Sequence, residues 1–430
     1  MPYLTVANDI KALIAKFALS RILWIDTEIA DYKSHPRLSL IQVLADPRDL
    51  TGDATFLLDV LEQPELVTDF INLIMVNPNI EKVMHNASYD IRFLGNDEAT
   101  NVTCTLNISR KIPYYILPLP NRQLKTLIEK LCNINYVDKT EQGSDWGKRP
   151  LTEKQVEYAK MDVVYLARVH RHLLEIFHKS YPDPARENLT ALGEKYQNIE
   201  ARWKPLDSEF AEVKERIKTG MVAKKLKDSA YFELSSSIAM KVDFMTLANL
   251  TQAERIELHF PVTLTKEIQR QLGQLIEHPS LAVEEVQSWR LMFNAQQRRK
   301  STNQIAPRPV SDDLIVLGER YKEILPEWKF LDSEVDHLKE RVKKAMMAQN
   351  KGNTPHFKLS SSCLMKLDFA SLARLVQSLG IELDFRVTLT QYIQKRLGEA
   401  INQIDVEIEY ITSWRMRAKT VEDEDEEIPF

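Results

Sequence analysis

The sequence predicts an α/β domain followed by two related all-helical domains, and three observations carry that reading. Over residues 1–185, short apolar strand-like runs such as Ile22-Leu23-Trp24-Ile25 give way to segments of helical periodicity. Past residue 185 the chain repeats itself at a constant offset of 125 residues. Two breaks mark the boundaries: Tyr181-Pro182-Asp183-Pro184, and a polar, basic stretch from Arg298-Arg299-Lys300 to Pro309. A chain of 430 residues has room for about three domains of ~150 residues. The expected divisions are residues 1–185, residues 188–300 and 312–418 for the two copies, and an acidic tail at 419–430.

In the first domain, Ile22-Leu23-Trp24-Ile25-Asp26-Thr27-Glu28 ends an apolar strand with two carboxylates, one residue apart. Residues two apart in a strand share a face, so Asp26 and Glu28 point at one place. Two adjacent carboxylates repel unless a cation lies between them, and hard divalent ions prefer oxygen ligands. A third acid, Asp90, lies in Glu81-Lys82-Val83-Met84-His85-Asn86-Ala87-Ser88-Tyr89-Asp90, where a strand runs into a helical pattern. Asn86 is read there as an N-cap, placing Asp90 about one turn into a helix, where the macrodipole favours an anion. Thr152 to Gln155 reads as a capping box, and the helix it opens carries Tyr158 and Asp162 four residues apart on one face.

Taken in order, these motifs resemble the three exonuclease motifs of the ribonuclease D family, a branch of the DEDD 3′–5′ exonucleases. Asp26 and Glu28 match the first, Asp90 the second, and Tyr158 with Asp162 the third in its tyrosine form. Arg37 to Val43 looks like the strand after the first motif. Asp138-Lys139 and Ser144 to Leu151 look like the segment before the third. The match covers about residues 1–180, with one departure at Thr103-Cys104-Thr105, where many relatives have an Asp before the Thr. The resemblance implies a ribonuclease-H-like α/β domain that hydrolyses nucleotides from RNA 3′ ends, such as those of tRNA precursors. It implies two divalent cations, Mg²⁺ or Mn²⁺, held by Asp26, Glu28, Asp90 and Asp162, with Tyr158 positioning the attacking water. Thr27, His85 and Asn86, beside the acids, are expected at the substrate end. Single-stranded DNA as substrate, or a catalytically silent RNA-binding scaffold on a nuclease fold, are the rival readings.

In the repeat, Leu192-Gly193-Glu194-Lys195-Tyr196 returns as Leu317-Gly318-Glu319-Arg320-Tyr321, and Trp203-Lys204 as Trp328-Lys329. Leu234-Ser235-Ser236-Ser237 returns as Leu359-Ser360-Ser361-Ser362, and Trp289-Arg290 as Trp414-Arg415. Each copy reads as helical, with the Ser triplets and Thr265 or Thr390 expected as N-caps. Helical accessory domains, often of the type called HRDC, follow the nuclease in ribonuclease D; the pair has that position without the usual HRDC sequence pattern.

Composition narrows the setting. The chain is 44% apolar and 28% charged, as in globular proteins. It contains no apolar run near the ~20 residues that span a bilayer, and Met1-Pro2-Tyr3-Leu4 lacks a secretory layout. Three scattered cysteines, Cys104, Cys132 and Cys363, suit a reducing cytoplasm. The net charge of −5 is uneven: 21 basic against 24 acidic residues over 1–185, 19 against 16 over 186–310, and 17 against 22 over 311–430. Six of the last acids form Glu422 to Glu427, a run expected to be disordered. The first copy is thus the most basic region.

Overall fold

The structure, a computed structural model, describes residues 3–31, 34–135, 137, 139–293 and 313–418. Asp138, the expected linker at 298–309 and the acidic tail at 419–430 lie outside the described residues. The chain divides into two compact units, Met1–Asp183 and Pro184–Phe430.

In the first unit, six strands form one mixed sheet. They are β1 (Tyr3–Leu4), β2 (Ile22–Ala30), β3 (Arg37–Leu44), β4 (Thr55–Asp59), β5 (Glu81–Met84) and β6 (Val102–Cys104), in the order β1-β4-β3-β2-β5-β6. Strand β3 runs antiparallel to β2 and β4, while β2, β5 and β6 are parallel. Alternation along β2 assigns its two faces. Leu23 and Ile25 pack with Ile10 and Phe17 of α1 (Ala7–Phe17) and Leu66 and Phe70 of α2 (Pro64–Phe70). Trp24 packs on the opposite face, with Leu44, Val83, Val163, Val164 and Ala167. Helices α3 (Thr105–Lys111), α4 (Leu124–Leu131) and α5 (Glu153–Ser180) follow the sheet, and α5 supplies Val163, Val164 and Ala167. Asp26 and Glu28 share the parity of Trp24, so they belong to the α5 side of the sheet.

The segment before α5 is fastened to the sheet by polar contacts. Ser39 Oγ donates to the Trp146 carbonyl at 2.6 Å, and Arg149 donates to both carboxylate oxygens of Asp59 at 2.5 and 2.8 Å. Tyr3 OH donates to the same carboxylate. Burial alone would raise the Asp59 carboxyl, but the hydrogen bonds from Arg149 and Tyr3 outweigh it and hold the group below the ordinary carboxylate range. The capping box is present: Gln155 N–H donates to Thr152 Oγ1, and Thr152 N–H to Gln155 Oε1. Gln155 also donates to Ser144 Oγ and the Asp145 carbonyl. One side chain thus ties the start of α5 to the anchored loop.

The second unit corrects the all-helical expectation. The first copy contains α6 (Leu189–Ala223), β7 (Phe232–Asp243), α7 (Phe244–Ala253), β8 (Pro261–Leu264), α8 (Lys266–Leu272) and β9 (Glu284–Phe293). The second contains α9 (Leu314–Ala348), β10 (Phe357–Asp368), α10 (Phe369–Leu379), β11 (Arg386–Thr388), α11 (Gln391–Leu397) and β12 (Glu409–Ala418). The strands pair between copies, in sheets β8-β10-β9 and β11-β7-β12. Each copy therefore lends its long strand to the centre of the other's sheet, and the copies are not separate domains. Their apolar residues merge in one core containing Val242, Phe244 and Leu247 with Leu367, Phe369 and Leu372. The Ser triplets lie within β7 and β10 instead of at helix starts; Asp243 and Asp368 cap α7 and α10. Thr265 and Thr390 cap α8 and α11 as expected. A Ser-rich run has little strand propensity of its own, and pairing with a distant partner overrides it.

The exchange is reciprocal in its polar contacts. Trp203 Nε1 donates to Asp332 at 3.1 Å, and its counterpart Trp328 donates to Asp207 at 2.9 Å. Lys195 pairs with Glu334 at 3.0 Å, as Arg320 does with Glu209. Gly193 lies so close to the His356 ring that a Cβ there would collide with it, and Gly318 meets Tyr231 in the same way.

Two predictions follow from this scaffold. Arg149→Ala should cost about 3 kcal/mol at neutral pH, because it strands the buried Asp59 carboxylate. The depressed Asp59 group stabilises the fold above its unfolded value of ~3.9 and loses that contribution as pH falls through its folded value. The gap between parent and variant in urea denaturation should therefore close in acid, and a constant gap down to pH 2 would contradict the assignment. In the second unit, a chain ending at residue 300 lacks the partner strands of β7, β8 and β9. It should leave residues 184–300 open to limited proteolysis, whereas residues 1–183 alone should fold; a protease-resistant first copy would refute the exchange.

Candidate active site

Strand β2 presents Asp26 and Glu28, and β3 backs them. Gln42, in register with Asp26, donates from Nε2 to Glu28 Oε1 at 3.2 Å. Glu28, Asp90 and Asp162 are buried, while Asp26 is half-buried and keeps some surface open to solvent.

Asp90 arrives by a route different from the expected one. Asn86 is not a helix N-cap: it adopts a left-handed conformation (φ 55°), and its carbonyl accepts the Tyr89 N–H at 2.9 Å. Asn tolerates that region better than most residues, so the chain turns sharply after β5. Asp90 then opens a single 3-10 turn, Asp90–Arg92, with no α-helix to supply a macrodipole. Its anchor is a side chain. Thr27 Oγ1 donates to Asp90 Oδ1 at 2.6 Å.

Helix α5 supplies Tyr158 and Asp162 from one face. Between them lies Lys139, whose Nζ is 3.1 Å from both Tyr158 OH and Asp162 Oδ1, and 5.0 Å from the Tyr158 ring centre. The Trp146 ring lies 6.1 Å from that of Tyr158, linking the anchored loop to the site. His85 Nδ1 is 2.9 Å from Thr105 Oγ1, which donates to the Met84 carbonyl.

Charge dominates this cluster. Desolvation and then the neighbouring Asp90 and Asp162 push the Asp26 carboxyl well above the ordinary range; burial, Asp26 and Asp162 do the same to Glu28. Burial raises Asp90 to about 7, and raises Asp162 despite the opposing Lys139. Desolvation followed by the three acids Asp162, Glu28 and Asp26 pushes the Tyr158 phenol far upward, so it keeps its proton at neutral pH. Burial, then Lys139, lowers His85 to about 4, leaving a neutral imidazole.

The structure thus brings Asp26, Glu28, Asp90, Tyr158 and Asp162 into one electrostatic neighbourhood. Among the described residues, no group of three or more His, Cys, Asp or Glu side chains is arranged as a ready-made metal site. The donor set nevertheless fits hard cations: buried carboxylates with raised proton affinity, and an ammonium group already drawn between two of the proposed residues. Thr27 has committed its hydroxyl to Asp90, His85 is hydrogen-bonded to Thr105, and Asn86 is exposed at the turn. Gln42, Thr105 and Lys139 were not singled out by the spacing of acids. Each lies in or beside a motif segment, and only three-dimensional proximity identifies its partner.

Residues 3–177 match the family model described as 3′–5′ exonuclease. The chain is 33% identical over 171 residues to Ribonuclease D of Bartonella henselae, covering 40% of each protein. It is 29% identical over 160 residues to Protein RRP6-like 3 of Arabidopsis thaliana, covering 37% of this chain and 17% of that one. The crystal structure of Escherichia coli RNase D aligns with a TM-score of 0.35 and 22% identity over 53% of this chain and 62% of that one. The chain spans less than half the length of the curated relatives it matches. With acids from three separated segments gathered beside a mixed sheet, and with the family match over the same residues, the first unit carries a 3′–5′ exonuclease domain similar to that of ribonuclease D.

Proposed function

We propose that the protein is a divalent-metal-dependent 3′–5′ exoribonuclease that trims RNA 3′ ends in the cytoplasm, with tRNA precursors or other structured RNA as substrates. The observation that carries this reading is the gathering of Asp26, Glu28, Asp90 and Asp162 beside the protonated Tyr158. Those four acids would hold two cations, Mg²⁺ or Mn²⁺. When bound, such ions lower the pKa of an attacking water and stabilise the leaving 3′ oxygen. Water would add to the terminal phosphorus and the P–O3′ bond would break, releasing a 5′-nucleotide and a new 3′-hydroxyl.

The chain's own groups have distinct tasks in that reaction. Tyr158 orients the water through its phenol and is too weak an acid to serve as the base. Lys139 fixes the phenol oxygen, and Thr27 fixes Asp90. Gln42 holds Glu28 from the neighbouring strand. His85 and Asn86 remain the proposed contacts to the substrate end.

Digestion of end-labelled RNA and single-stranded DNA, with and without Mg²⁺ or Mn²⁺, tests the class, polarity and sugar together. The expected result is an RNA ladder growing from the 3′ end and abolished by chelation. A DNA-only ladder would change the substrate, and no cleavage of either would leave a silent scaffold.

Asp26→Asn should remove most metal-dependent cleavage while the fold and RNA binding persist, because the change removes charge without volume; parental rates in this variant would reject the site. Tyr158→Phe should retain metal affinity by calorimetry and lose about 10²–10⁴-fold in turnover. Lost metal binding would make Tyr158 structural, and unchanged turnover would remove it from the reaction.

A further inference from the structure

Each long strand of the second unit has one edge paired along its length and one edge that is not. Strand β7 pairs with β12 from Phe232 to Lys241, and β10 with β9 from Phe357 to Lys366, both without a register shift. On the other edge of β7 two walls stand apart. At one end Leu234 N–H donates to the Lys227 carbonyl at 2.8 Å, and Ser229 N–H to that of Phe232 at 2.9 Å. At the other end β11 covers Lys241 to Asp243, and Leu389 N–H donates to the Met240 carbonyl at 2.8 Å. The second copy repeats the arrangement: Leu359 N–H donates to the Gly352 carbonyl at 2.9 Å, and β8 begins opposite Met365.

The walls fix which backbone groups lie open between them. In an antiparallel strand, alternate residues direct both N–H and C=O to the same side. Phe232, Leu234, Met240 and Val242 turn theirs away from β12, so Ser236 and Ile238 do so too. By the same parity Ser361 and Cys363 turn theirs away from β9. The β7 window thus offers the Leu234 C=O, both groups of Ser236 and of Ile238, and the Met240 N–H. Among the described residues no hydrogen bond reaches these groups.

The side chains leave the approach clear. Ser236, Ser361 and Cys363 are exposed, and Ile238 is 63% exposed. Natural edge strands are blunted by charges, proline or a bulge. Between Glu233 and Lys241, and between Lys358 and Lys366, neither strand has any of these.

Geometry and polarity select the ligand. At ~3.3 Å per residue, Leu234 to Met240 spans about 20 Å, room for a strand of about five residues. The same edge of a second copy does not fit, because the walls of each lie in the path its partner's strand would follow. Donors and acceptors alternate along the window, which mismatches a row of phosphates and matches another polypeptide backbone. The window is uncharged and exposes Ile238, and its counterpart exposes Cys363 and Leu364. The fitting segment is therefore uncharged, free of proline and rich in β-branched residues.

We propose that the open edges of β7 and β10 are two equivalent docking slots for a partner protein, each taking an extended, uncharged segment of about five residues by strand addition. The proposal is independent of the exonuclease reading, because none of these residues belongs to the acid cluster.

Calorimetric titration of the full chain with a capped pentapeptide of alternating threonine and valine tests it. Two peptides should bind each chain. The same peptide N-methylated at every residue keeps its side chains and loses its donors, and it should not bind. Ser236→Pro removes an outward N–H and leaves the β12 ladder intact, and Ser361→Pro does the same in the other slot. Each single variant should bind one peptide, and the double variant should bind about tenfold more weakly or not at all. Ile238→Lys with Cys363→Lys, at exposed positions, supplies a second version in which charge blunts both edges and the fold persists. No saturable binding by the parent, equal binding of the methylated peptide, or unchanged affinity in the folded lysine variant would overturn the proposal. Displacement of the peptide by a single-stranded oligoadenylate would also overturn it, making the edges a nucleic-acid surface.

Discussion

Four carboxylates crowded around the Asp26–Glu28 stretch of β2 impose the constraint around which the first unit is organised. Each is pushed toward its protonated form by desolvation, and Asp26 and Glu28 also by the other acids. Desolvated carboxyls this close together need rigid support, because side chains free to move would swing out toward water. The support comes from neutral donors and one cation. Thr27 holds Asp90, Gln42 holds Glu28, and Lys139 bridges Asp162 and Tyr158. Behind them, Ser39, Asp59 and Arg149 fasten the loop that sets the start of α5, and therefore the place of Tyr158 and Asp162.

The second unit solves a different problem by related means. Each copy carries a long strand whose partners belong to the other copy, so neither can satisfy its own backbone hydrogen bonds. The Trp203–Asp332 and Trp328–Asp207 bonds, and the Lys195–Glu334 and Arg320–Glu209 pairs, specify the exchange at equivalent points. Gly193 and Gly318 allow the aromatic rings of the opposite copy to approach α6 and α9. The duplication is therefore a condition of the fold: two copies in one chain make an interlocked pair without needing a second molecule.

How much of this was legible in the sequence depends on how local each signal was. The alternation of β2 and the capping box at Thr152 and Gln155 are set by residues within a few positions of each other, and both appear as read. The turn at Asn86 was misread because a helix cap and a left-handed turn favour the same residue type. The strands β7 and β10 were misread because Ser-Ser-Ser before an apolar run has the appearance of a helix start, while its pairing partners lie in the other copy. Lys139, Gln42 and Thr105 were hidden for a similar reason. Their roles are defined by contacts to residues far away in sequence, and no spacing rule records those contacts.

The proposal stands or falls on whether the acid cluster, in which Lys139 contacts Asp162 and Tyr158, binds divalent cations. Calorimetric titration of Mn²⁺ into the full chain, beside the same titration of Asp162→Asn, tests it most directly. Saturable binding by the parent that is lost or severely weakened in Asp162→Asn is the predicted result. No binding by the parent, or equal binding by both proteins, would contradict the account.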